Sequence, residues 1–378
     1  KYIWNTSTST PSEGSFSSTF ANKGTISTPS GVTGSYYLWI LAKDSVGNTK
    51  IQRSNVFNLD NTRPVITLNG SSTVNVNVGS TYSDAGATAT DAHSGVNGSV
   101  SVAGSVNTNI PGTYTITYNV SDKVGNAATA VTRTVKVVDN VPPVVTFSPN
   151  GNSTYAKSHS SKVTVTDKHS SVNTSSLKYL WTTSTSTPSE GSFSSTFANN
   201  GTISTPSGVT GSYYLWILAK DSVGNTKIQR SNVFRLDNTP PTCVSSGGST
   251  TWVRSRTITG TCSDTGGSGC AGNITKTYST NTNTTTASPG TVKDNAGNTT
   301  TCPGNQTVRV DVTPPTCASS GGSTTWTNGN RTITGTCSDT GGSGCSSSTV
   351  TKTYSTNTNT TTASPGTVKD NAGNTTTC

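Results

Sequence analysis

The side chains of this 378-residue chain that are best suited to chemistry are its fourteen aspartates, which recur in three settings. One Asp precedes a linker proline by three or four residues, a second lies in a loop between predicted strands, and a third begins the phrase Asp-x-x-Gly-Asn. Three carboxylates that converge repel one another unless a hard cation with oxygen ligands neutralises them, so the pattern predicts calcium sites. Twelve aspartates form four such sets: Asp60, Asp91 and Asp122; Asp139, Asp167 and Asp221; Asp237, Asp264 and Asp294; Asp311, Asp339 and Asp370.

Two alternatives to calcium follow from the same residues. Each Asp can cap its own turn by accepting hydrogen bonds from backbone N–H groups two residues on, as is common before Pro and Gly. A lysine that directly precedes the hairpin Asp can also neutralise it. These lysines are Lys43, Lys220, Lys293 and Lys369. Asp44 begins a hairpin phrase without the other two members of a set, and Asp84 lies outside the pattern.

The phrase Asp-x-x-Gly-Asn also indicates the elements that position these residues, because it occurs five times. Gly takes positive φ freely and Asn tolerates it, so each copy is predicted to be the tip of a β-hairpin. Five tips separated by four proline-containing linkers predict five small modules. Proline fixes φ and keeps its predecessor extended, so we expect short, semi-rigid joints and a rod-like array. The predicted modules 1 to 5 are residues 1–62 (truncated at the N-terminus), 63–140, 141–238, 239–312 and 313–378 (truncated at the C-terminus).

Composition and periodicity favour strands throughout. Only 29% of residues are apolar and Met is absent, while Ser, Thr, Gly and Asn are abundant, so we expect almost no helix. Short apolar alternations separated by turn signals are typical of an antiparallel β-sandwich. In such a sandwich the entering linker, one loop and the hairpin lie at the same pole, so each set of aspartates is expected to converge. The predicted strands include residues 36–42, 73–78, 113–120, 130–138, 161–166, 178–181 and 213–219.

Residues 1–62 nearly duplicate residues 178–239. Module 1 is therefore predicted to be module 3 without its first strands, which residues 142–177 supply. Because the chain begins and ends within repeats, we expect it to be a piece of a longer protein. The two segments differ at only four positions: Ile3/Leu180, Asn5/Thr182, Lys23/Asn200 and Asn58/Arg235.

All eight cysteines lie in modules 4 and 5, four in each. These modules contain too few large apolar residues for burial to offset the entropy of ordering them, so covalent links are required. Even counts at repeated spacing indicate disulfides and an oxidising, extracellular compartment, whereas a metal site lacks support from any Cys-x-x-Cys motif or nearby His. Three pairings are open within each module. We favour Cys262–Cys270 across the loop between the second and third strands, with Cys243–Cys302 joining the first strand to the last. By analogy, module 5 would pair Cys337–Cys345 and Cys317–Cys378.

The charge pattern limits the partners. The net charge is +9, but only 11% of residues are charged, so Lys and Arg are scattered over a neutral polar surface and nucleic acid is not expected as a partner. No apolar run is long enough to predict membrane insertion. No repeated module holds a nucleophile–base pair or two partnered carboxylates, so we expect no enzyme activity, no catalytic residues and no organic cofactor.

Several stretches of module 2 match a known family pattern: residues 64–68, 79–86, 89–91, 112–118, 122–126 and 133–135. Through them module 2 resembles the bacterial Ig-like surface domains related to the hyalin-repeat group. The other modules are similar to neighbouring bacterial Ig-like repeats through their linker prolines and hairpin phrases, although four cysteines per module depart from the common pattern. The resemblance implies an all-β tandem array of five small antiparallel Ig-like β-sandwiches joined by short proline-containing linkers.

The resemblance further implies a non-catalytic, extracellular stalk or spacer segment of a bacterial cell-surface adhesin-like protein. The alternatives are a virion decoration fibre on the phage particle surface, or modules whose faces bind a glycan. We expect the longer protein to contact a host or cell-surface protein or glycan through its other parts. Self-association of the array, lateral or end to end, is a further expectation.

Overall fold

The computed structural model describes all 378 residues, and its regular structure consists of β-strands. It contains no α-helix, and three single turns of 3-10 helix lie at Glu13–Ser15, Thr174–Ser176 and Glu190–Ser192. The all-β class predicted from the composition is therefore confirmed. The sheets are small, and none extends across a predicted linker. The boundaries of the five modules remain predictions, and each module number denotes the predicted residue range.

The chain divides into two compact units. The first consists of Lys1–Pro143 with Asp167–Val172 and Asp221–Asn225, and the second of Val144–Thr166, Asn173–Lys220 and Thr226–Cys378. The first unit thus contains modules 1 and 2 and two loops of module 3. The second contains the strands of module 3 together with modules 4 and 5.

In the first unit, module 1 forms one four-stranded antiparallel sheet: β1 (Tyr2–Asn5), β2 (Gly34–Lys43), β3 (Thr49–Arg53) and β4 (Phe57–Leu59). Strand β2 pairs with each of the other three strands. One face of β2 packs Trp39 and Leu41 against Phe16, and all three side chains are buried. This small cluster is the core of module 1.

Module 2 contributes six strands: β5 (Val65–Leu68), β6 (Thr73–Asn77), β7 (Ala87–Thr90), β8 (Ser101–Ala103), β9 (Gly112–Asn119) and β10 (Val131–Val138). One sheet pairs β5 with β7, and the other has the order β6-β10-β9-β8. The two sheets enclose a core that includes Ile66, Ile116, Tyr118 and Val135. The pair β6–β10 is parallel, whereas the sequence predicts antiparallel pairing only. The difference arises because the chain leaves the first sheet after β5, and its next strand, β6, joins the second sheet beside β10 and runs in the same direction as β10.

In the second unit, module 3 contributes nine strands: β11 (Val144–Ser148), β12 (Asn152–Ala156), β13 (Ser160–Thr166), β14 (Lys178–Thr182), β15 (Ser195–Thr196), β16 (Thr202–Ser204), β17 (Gly211–Lys220), β18 (Thr226–Arg230) and β19 (Phe234–Leu236). One sheet has the order β11-β13-β16, and the other has the order β12-β19-β17-β14-β15 with β18 on β17. The pair β12–β19 is again parallel. Residues 215–219 of β17 are all buried, as predicted for a strand that is apolar on both faces.

Modules 4 and 5 have shorter sheets. In module 4 the sheets are β20-β21-β22, β23-β26 and β24-β25, around a core of Ile258, Ala287, Val308 and Val310. Module 5 repeats the first and third of these as β27-β28-β29 and β30-β31. The strands are β20 (Thr242–Ser246), β21 (Arg256–Ser263), β22 (Ile274–Tyr278), β23 (Thr282–Ala287), β24 (Thr291–Lys293), β25 (Thr299–Thr301), β26 (Gln306–Val310), β27 (Thr316–Ser320), β28 (Arg331–Ser338), β29 (Thr349–Tyr354), β30 (Thr367–Lys369) and β31 (Thr375–Thr377).

Four disulfides link the cysteines in the favoured pairs: Cys243–Cys302, Cys262–Cys270, Cys317–Cys378 and Cys337–Cys345. One detail differs from the expectation that the long bridge joins the first strand to the last. Cys302 follows β25, so the bridge joins β20 to the strand before the last. Gly260 lies beside this bridge, and a Cβ there would be 2.6 Å from the Cys302 sulfur. Glycine therefore makes room for the bond.

Candidate metal centre

All five Asp-x-x-Gly-Asn phrases are hairpin tips, as predicted. In each, the Asp N–H donates to the Asn carbonyl oxygen at 3.0 to 3.1 Å, and the Gly has a φ between +94° and +105°. That φ favours glycine over any other residue. The turn therefore returns the chain and holds the Asp at the tip.

The structure brings together each of the four predicted sets of aspartates. In every set one carboxylate oxygen from each member lies within 4.8 Å of the others. Each set contains a linker Asp, a loop Asp and a hairpin Asp, and the hairpin Asp is fully buried in all four. Triads 2 and 3 lie in the first compact unit, and triads 4 and 5 in the second. The triads, numbered by module, are Asp60, Asp91 and Asp122 (triad 2); Asp139, Asp167 and Asp221 (triad 3); Asp237, Asp264 and Asp294 (triad 4); and Asp311, Asp339 and Asp370 (triad 5).

The hairpin Asp uses both of its oxygens within its own turn. Asp122 Oδ1 accepts hydrogen bonds from the backbone N–H groups of Val124 at 3.0 Å and Asn126 at 2.8 Å. Its Oδ2 accepts one from Asn126 Nδ2 at 2.6 Å. The exposed Asp44 makes the same bonds without any triad around it. Turn capping, one of the two alternatives to calcium, therefore accounts for this member of each set.

The hairpin Asn has a second role that sequence reasoning missed. Asn126 Nδ2 also donates to the backbone carbonyl oxygen of Asp60 at 3.0 Å, which ties the hairpin to the linker that enters the module. The equivalent bonds occur in every triad, at 2.9 to 3.1 Å: Asn225 to Asp139, Asn298 to Asp237 and Asn374 to Asp311. The recurrence of Asn at the fifth position of the phrase is the only feature of the sequence that could have indicated this contact. The same recurrence is explained equally well by the preference of the turn itself for Asn.

The linker Asp is held by two loops. Its Oδ1 accepts from the N–H two residues on, as in Asp237 with Thr239 at 3.1 Å. In triad 4 its Oδ2 accepts from the Ser268 N–H at 2.7 Å, and the same bond recurs in triads 2 and 5. In triad 4 a Cβ on the neighbouring Gly267 would clash with the Asp237 carboxylate, so glycine makes room for this approach there. In triad 3 the corresponding oxygen, Asp139 Oδ2, is buried and has no hydrogen-bond partner.

The loop Asp shows a similar contrast. In triads 4 and 5, Oδ2 of Asp264 and of Asp339 accepts from a glycine N–H at 2.7 and 2.8 Å. In triad 2, Asp91 Oδ1 accepts from the His93 and Gly95 N–H groups, while Asp91 Oδ2 is buried without a partner. Triads 2 and 3 therefore each retain one buried carboxylate oxygen that nothing in the chain satisfies. Such an atom is the kind of group that a bound cation would satisfy.

In each triad at least one aspartate has a pKa below its ordinary value. Burial by itself would raise the pKa of Asp122, but hydrogen bonds from the Asn126 side chain and backbone outweigh it and hold the pKa below its ordinary value. Burial is likewise the largest influence at Asp237, where loop donors nevertheless lower the pKa. The same balance lowers the pKa values of the equivalent Asp221 and Asp311.

Lysine does not supply the opposite charge. Lys43 and Lys220 form ion pairs with Glu13 and Glu190, each at 2.7 Å, and not with the aspartates that follow them. Lys293 and Lys369 form no ion pair. None of the four lysines therefore forms an ion pair with the aspartate that follows it, and Lys43 and Lys220 instead face the glutamate-containing turn.

Asp84, the aspartate outside the sets, belongs to a separate buried network. Arg133, 1% exposed, donates from Nη1 to Asp84 Oδ1 and from Nε to the Ser71 carbonyl oxygen at 3.0 Å. The hydroxyls of Tyr118 and Tyr82 donate to the Asp84 carboxylate at 2.7 and 3.0 Å. Burial, followed by the hydrogen bond to Asp84, raises the pKa of Tyr118 to about 12. The network is a polar part of the module 2 core.

Small β-sheets recur along the chain, and in modules 2 and 3 two sheets pack face to face in the manner of an Ig-like sandwich. Residues 66–137, which are most of module 2, match the family model described as bacterial surface protein, Ig-like domain. This match confirms the resemblance found in that module. No curated protein matches the sequence.

Two solved structures are similar to this chain, both with low sequence identity and a low TM-score. A lipoprotein from Bacteroides thetaiotaomicron is 14% identical with a TM-score of 0.19, over 52% of this chain and 92% of its own. A tetra-tandem repeat in the extending region of a large adhesion protein is 14% identical with a TM-score of 0.24, over 91% and 93%. Within this chain, no helix has the length and apolar character needed to cross a membrane.

Proposed function

We propose that this chain is a non-catalytic spacer segment of a bacterial cell-surface protein of the adhesin type. The family match of module 2 to Ig-like domains of bacterial surface proteins supports the location. The observation that carries the spacer role is the bond from the hairpin Asn to the linker Asp, which recurs with the same geometry in four modules. Because the same hydrogen bond recurs at each of the four linkers, we infer that its role is to join one module to the next. A spacer requires such joints.

The near-duplication of residues 1–62 and 178–239 supports the same proposal. Copies that differ at only four positions add length without adding a specialised binding face. The disulfides of modules 4 and 5 fit exposure to an oxidising environment outside the cell.

A deletion and replacement experiment in the source bacterium tests this proposal. Antibodies against the chain are expected to label intact cells. Deleting residues 63–140 from the gene is expected to reduce attachment of the cells, and inserting a second copy of residues 239–312 in their place is expected to restore it. If replacement by a module of different sequence fails to restore attachment, module 2 acts through its own surface and the spacer proposal is wrong. Absence of labelling on intact cells contradicts the location.

We also propose that triads 2 and 3 bind Ca²⁺. Two observations support this: three carboxylates converge in each triad, and each retains a buried unpaired oxygen, Asp91 Oδ2 or Asp139 Oδ2. Calcium takes six to eight oxygen ligands, so carboxylates and backbone carbonyls of the loops suit it. The ligands would be Asp60, Asp91 and Asp122 in triad 2, and Asp139, Asp167 and Asp221 in triad 3. Triads 4 and 5 satisfy the corresponding oxygens with N–H donors, so we expect weaker binding there.

Calorimetric titration of the metal-free chain with Ca²⁺ tests this second proposal. Two sites are expected, and Asp91→Asn is expected to remove one of them. Asp264→Asn, which changes the equivalent residue of triad 4, is the matched control and is expected to leave both sites. A melting profile unchanged by excess EDTA, with no heat of Ca²⁺ binding, rejects calcium.

A further inference from the structure

The four linkers differ in how each is held to the module before it. Toward the following module they are alike, because the hairpin Asn donates to the carbonyl oxygen of the linker Asp at all four. The hydrogen bonds of the next two residues decide whether a linker is also fixed to the preceding module. These residues are Asn61-Thr62, Asn140-Val141, Asn238-Thr239 and Val312-Thr313.

Between modules 3 and 4 the linker is bound by the end of module 3. The Asn238 N–H donates to Thr210 Oγ1 at 2.9 Å. Its Nδ2 donates to the carbonyl oxygens of Val209 and Lys157 at 2.8 and 2.9 Å. The hydroxyls of Thr210 and Thr239 share a further hydrogen bond at 2.8 Å. We call such hydrogen bonds between a linker and the preceding module a clasp.

The first and fourth linkers also have clasps. Asn61 donates from its N–H to Thr33 Oγ1 at 3.0 Å and from Nδ2 to the carbonyl oxygen of the residue before Thr33 at 2.6 Å. Between modules 4 and 5 the asparagine lies in the module instead of in the linker. Asn281 accepts from the Val312 N–H at 2.7 Å and donates to Thr313 Oγ1 at 2.6 Å. Two different sets of residues therefore produce the same kind of contact.

The linker between modules 2 and 3 has no clasp. Asn140 is exposed and forms no hydrogen bond, and the Val141 N–H donates only to Asp139 Oδ1 of the linker itself, at 3.0 Å. At the equivalent positions of the other three linkers, a backbone N–H is bound by a side-chain oxygen of the preceding module. This linker is therefore fixed on one side only.

The sequence of module 2 explains the missing clasp. Its strand β9 is preceded by Ile110-Pro111, whereas β17 of module 3 is preceded by Val209-Thr210. Neither Ile nor Pro has a side-chain hydrogen-bonding group. Module 2 therefore offers the linker no hydroxyl at the place where Thr210 binds Asn238.

The division of the chain into compact units agrees with this difference. A boundary between the units lies directly after the unclasped linker, between Pro143 and Val144. Each of the three clasped linkers lies within a single unit. The missing clasp and the boundary between the units thus occur at the same joint.

We propose that the linker of residues 139–143 is a hinge and that the other three linkers are fixed. This linker stays with module 3 through the bond from Asn225 Nδ2 to the Asp139 carbonyl oxygen at 3.1 Å. Pro142 and Pro143 restrict its end, so the backbone of residues 138–140 absorbs the rotation. Modules 1 and 2 move as one body, and modules 3 to 5 move as a second. The hinge does not depend on the spacer role, since a spacer can be rigid or hinged.

Residual dipolar couplings of the full chain in excess EDTA test the hinge. Couplings from modules 1 and 2 are expected to fit one alignment tensor. Those from modules 3 to 5 are expected to fit a second tensor of different magnitude, because the two bodies reorient independently. EDTA removes bound cations, so the result does not depend on the calcium proposal. A single tensor for all five modules overturns the hinge, and so does a break at any other linker.

Matched substitutions test whether the clasp is the cause. Asn238→Ala combined with Thr210→Val removes a clasp and is expected to give modules 4 and 5 a tensor separate from that of module 3. Asn140→Ala changes the equivalent residue of the unclasped linker and is expected to leave all couplings unchanged. Asn61→Ala combined with Thr33→Val repeats the test at the first linker and is expected to separate modules 1 and 2. If both double variants fold and no joint separates, the clasps do not fix the linkers and the proposal is wrong.

Amide exchange gives a local measure of the same contacts. Relative to unstructured peptides, the N–H groups of Asn61, Asn238 and Val312 are expected to exchange at least about tenfold more slowly than that of Asn140, which has no acceptor. In Thr210→Val the Asn238 amide is expected to lose this protection while Asn61 and Val312 keep it. Equal protection at all four positions of the unchanged chain overturns the proposal. None of these results bears on the spacer role, which the module replacement tests independently.

Discussion

Asn298 Nδ2 donates a hydrogen bond to the backbone carbonyl oxygen of Asp237 at 3.0 Å, although the two residues are 61 positions apart in the sequence. The same amide donates to Asp294 Oδ2 at 2.7 Å, so one side chain joins the hairpin Asp to the linker. Proline was the basis for predicting stiff joints. The structure adds a side-chain contact that holds the linker Asp, three residues before the first proline.

Replacing this amide provides the first prediction. Asn298→Ala leaves the buried acceptors of Asp237 and Asp294 without a donor, which is expected to cost about 1–3 kcal/mol. Native-state hydrogen exchange at the Asp294 amide, which donates to the Asn298 carbonyl, measures the free energy of opening. Asn48→Ala is the control, because Asn48 is exposed and bonds only within its own turn. Equal losses in the two variants would show that the linker contact contributes nothing.

Acid is expected to destabilise the joints. The pKa values of Asp122, Asp221, Asp237 and Asp311 are lowered by folding, so the unfolded chain binds more protons at low pH. Their contribution is fully present above the unfolded pKa of about 3.9 and is lost as pH falls through the lower folded values. The melting temperature is expected to be level from pH 7 to 5 and to fall below about pH 4. Asp122→Asn is expected to make the fall in melting temperature less steep. A melting temperature that begins to fall near pH 6 would contradict the assignment of the effect to these aspartates.

Reduction is expected to unfold modules 4 and 5 selectively. In the chain-entropy model, closing 59 residues through Cys243–Cys302 is worth about 4 kcal/mol, and closing 8 through Cys262–Cys270 about 2.5 kcal/mol. Limited proteolysis in dithiothreitol is expected to cut within residues 239–378 and to spare residues 1–238, which contain no cysteine. Replacing Cys243 and Cys302 by Ser is expected to lower stability more than replacing Cys262 and Cys270. The reverse order contradicts the prediction.

The buried network of module 2 gives a fourth prediction. Asp84→Asn removes the charge that faces the buried Arg133, which is expected to cost about 3–5 kcal/mol. Tyr82→Phe removes one hydrogen bond to the same carboxylate and is expected to cost about 1 kcal/mol. Hydrogen exchange of the β10 amides measures both effects. If the two variants lost similar free energies of unfolding, burial of the Arg133 guanidinium would not depend on the charge of Asp84.

Local features of this chain were predictable because the repeats made them visible. The strands appear within two residues of their predicted ends, since period-2 alternation and turn residues act over short distances. The triads converge because the aspartates occur at fixed places in a known sandwich pattern. The sequence left three pairings open in each module, and the favoured pair Cys262–Cys270 is present. Cys243 and Cys262 lie opposite each other in neighbouring strands but bond to other cysteines.

Features that depend on long-range geometry were not predictable. The parallel pair β6–β10 depends on where the chain changes sheets after β5, which the alternation of residues does not report. Lys43 pairs with Glu13 because the sheet brings that turn close, although Asp44 is its neighbour in sequence. The unpaired oxygen of Asp139 emerges only from a full account of the donors around it.

The long disulfides of modules 4 and 5 also determine how the chain responds to mechanical tension. Force applied at the ends passes through Cys243–Cys302 and Cys317–Cys378, which bridge 59 and 61 positions, so the enclosed residues cannot lengthen. At roughly 3.4 Å per extended residue, each bond withholds about 200 Å of contour length. Modules 1 to 3 have no such restraint, so a pulled chain would lengthen mainly there, while the residues enclosed by the two bridges kept their length.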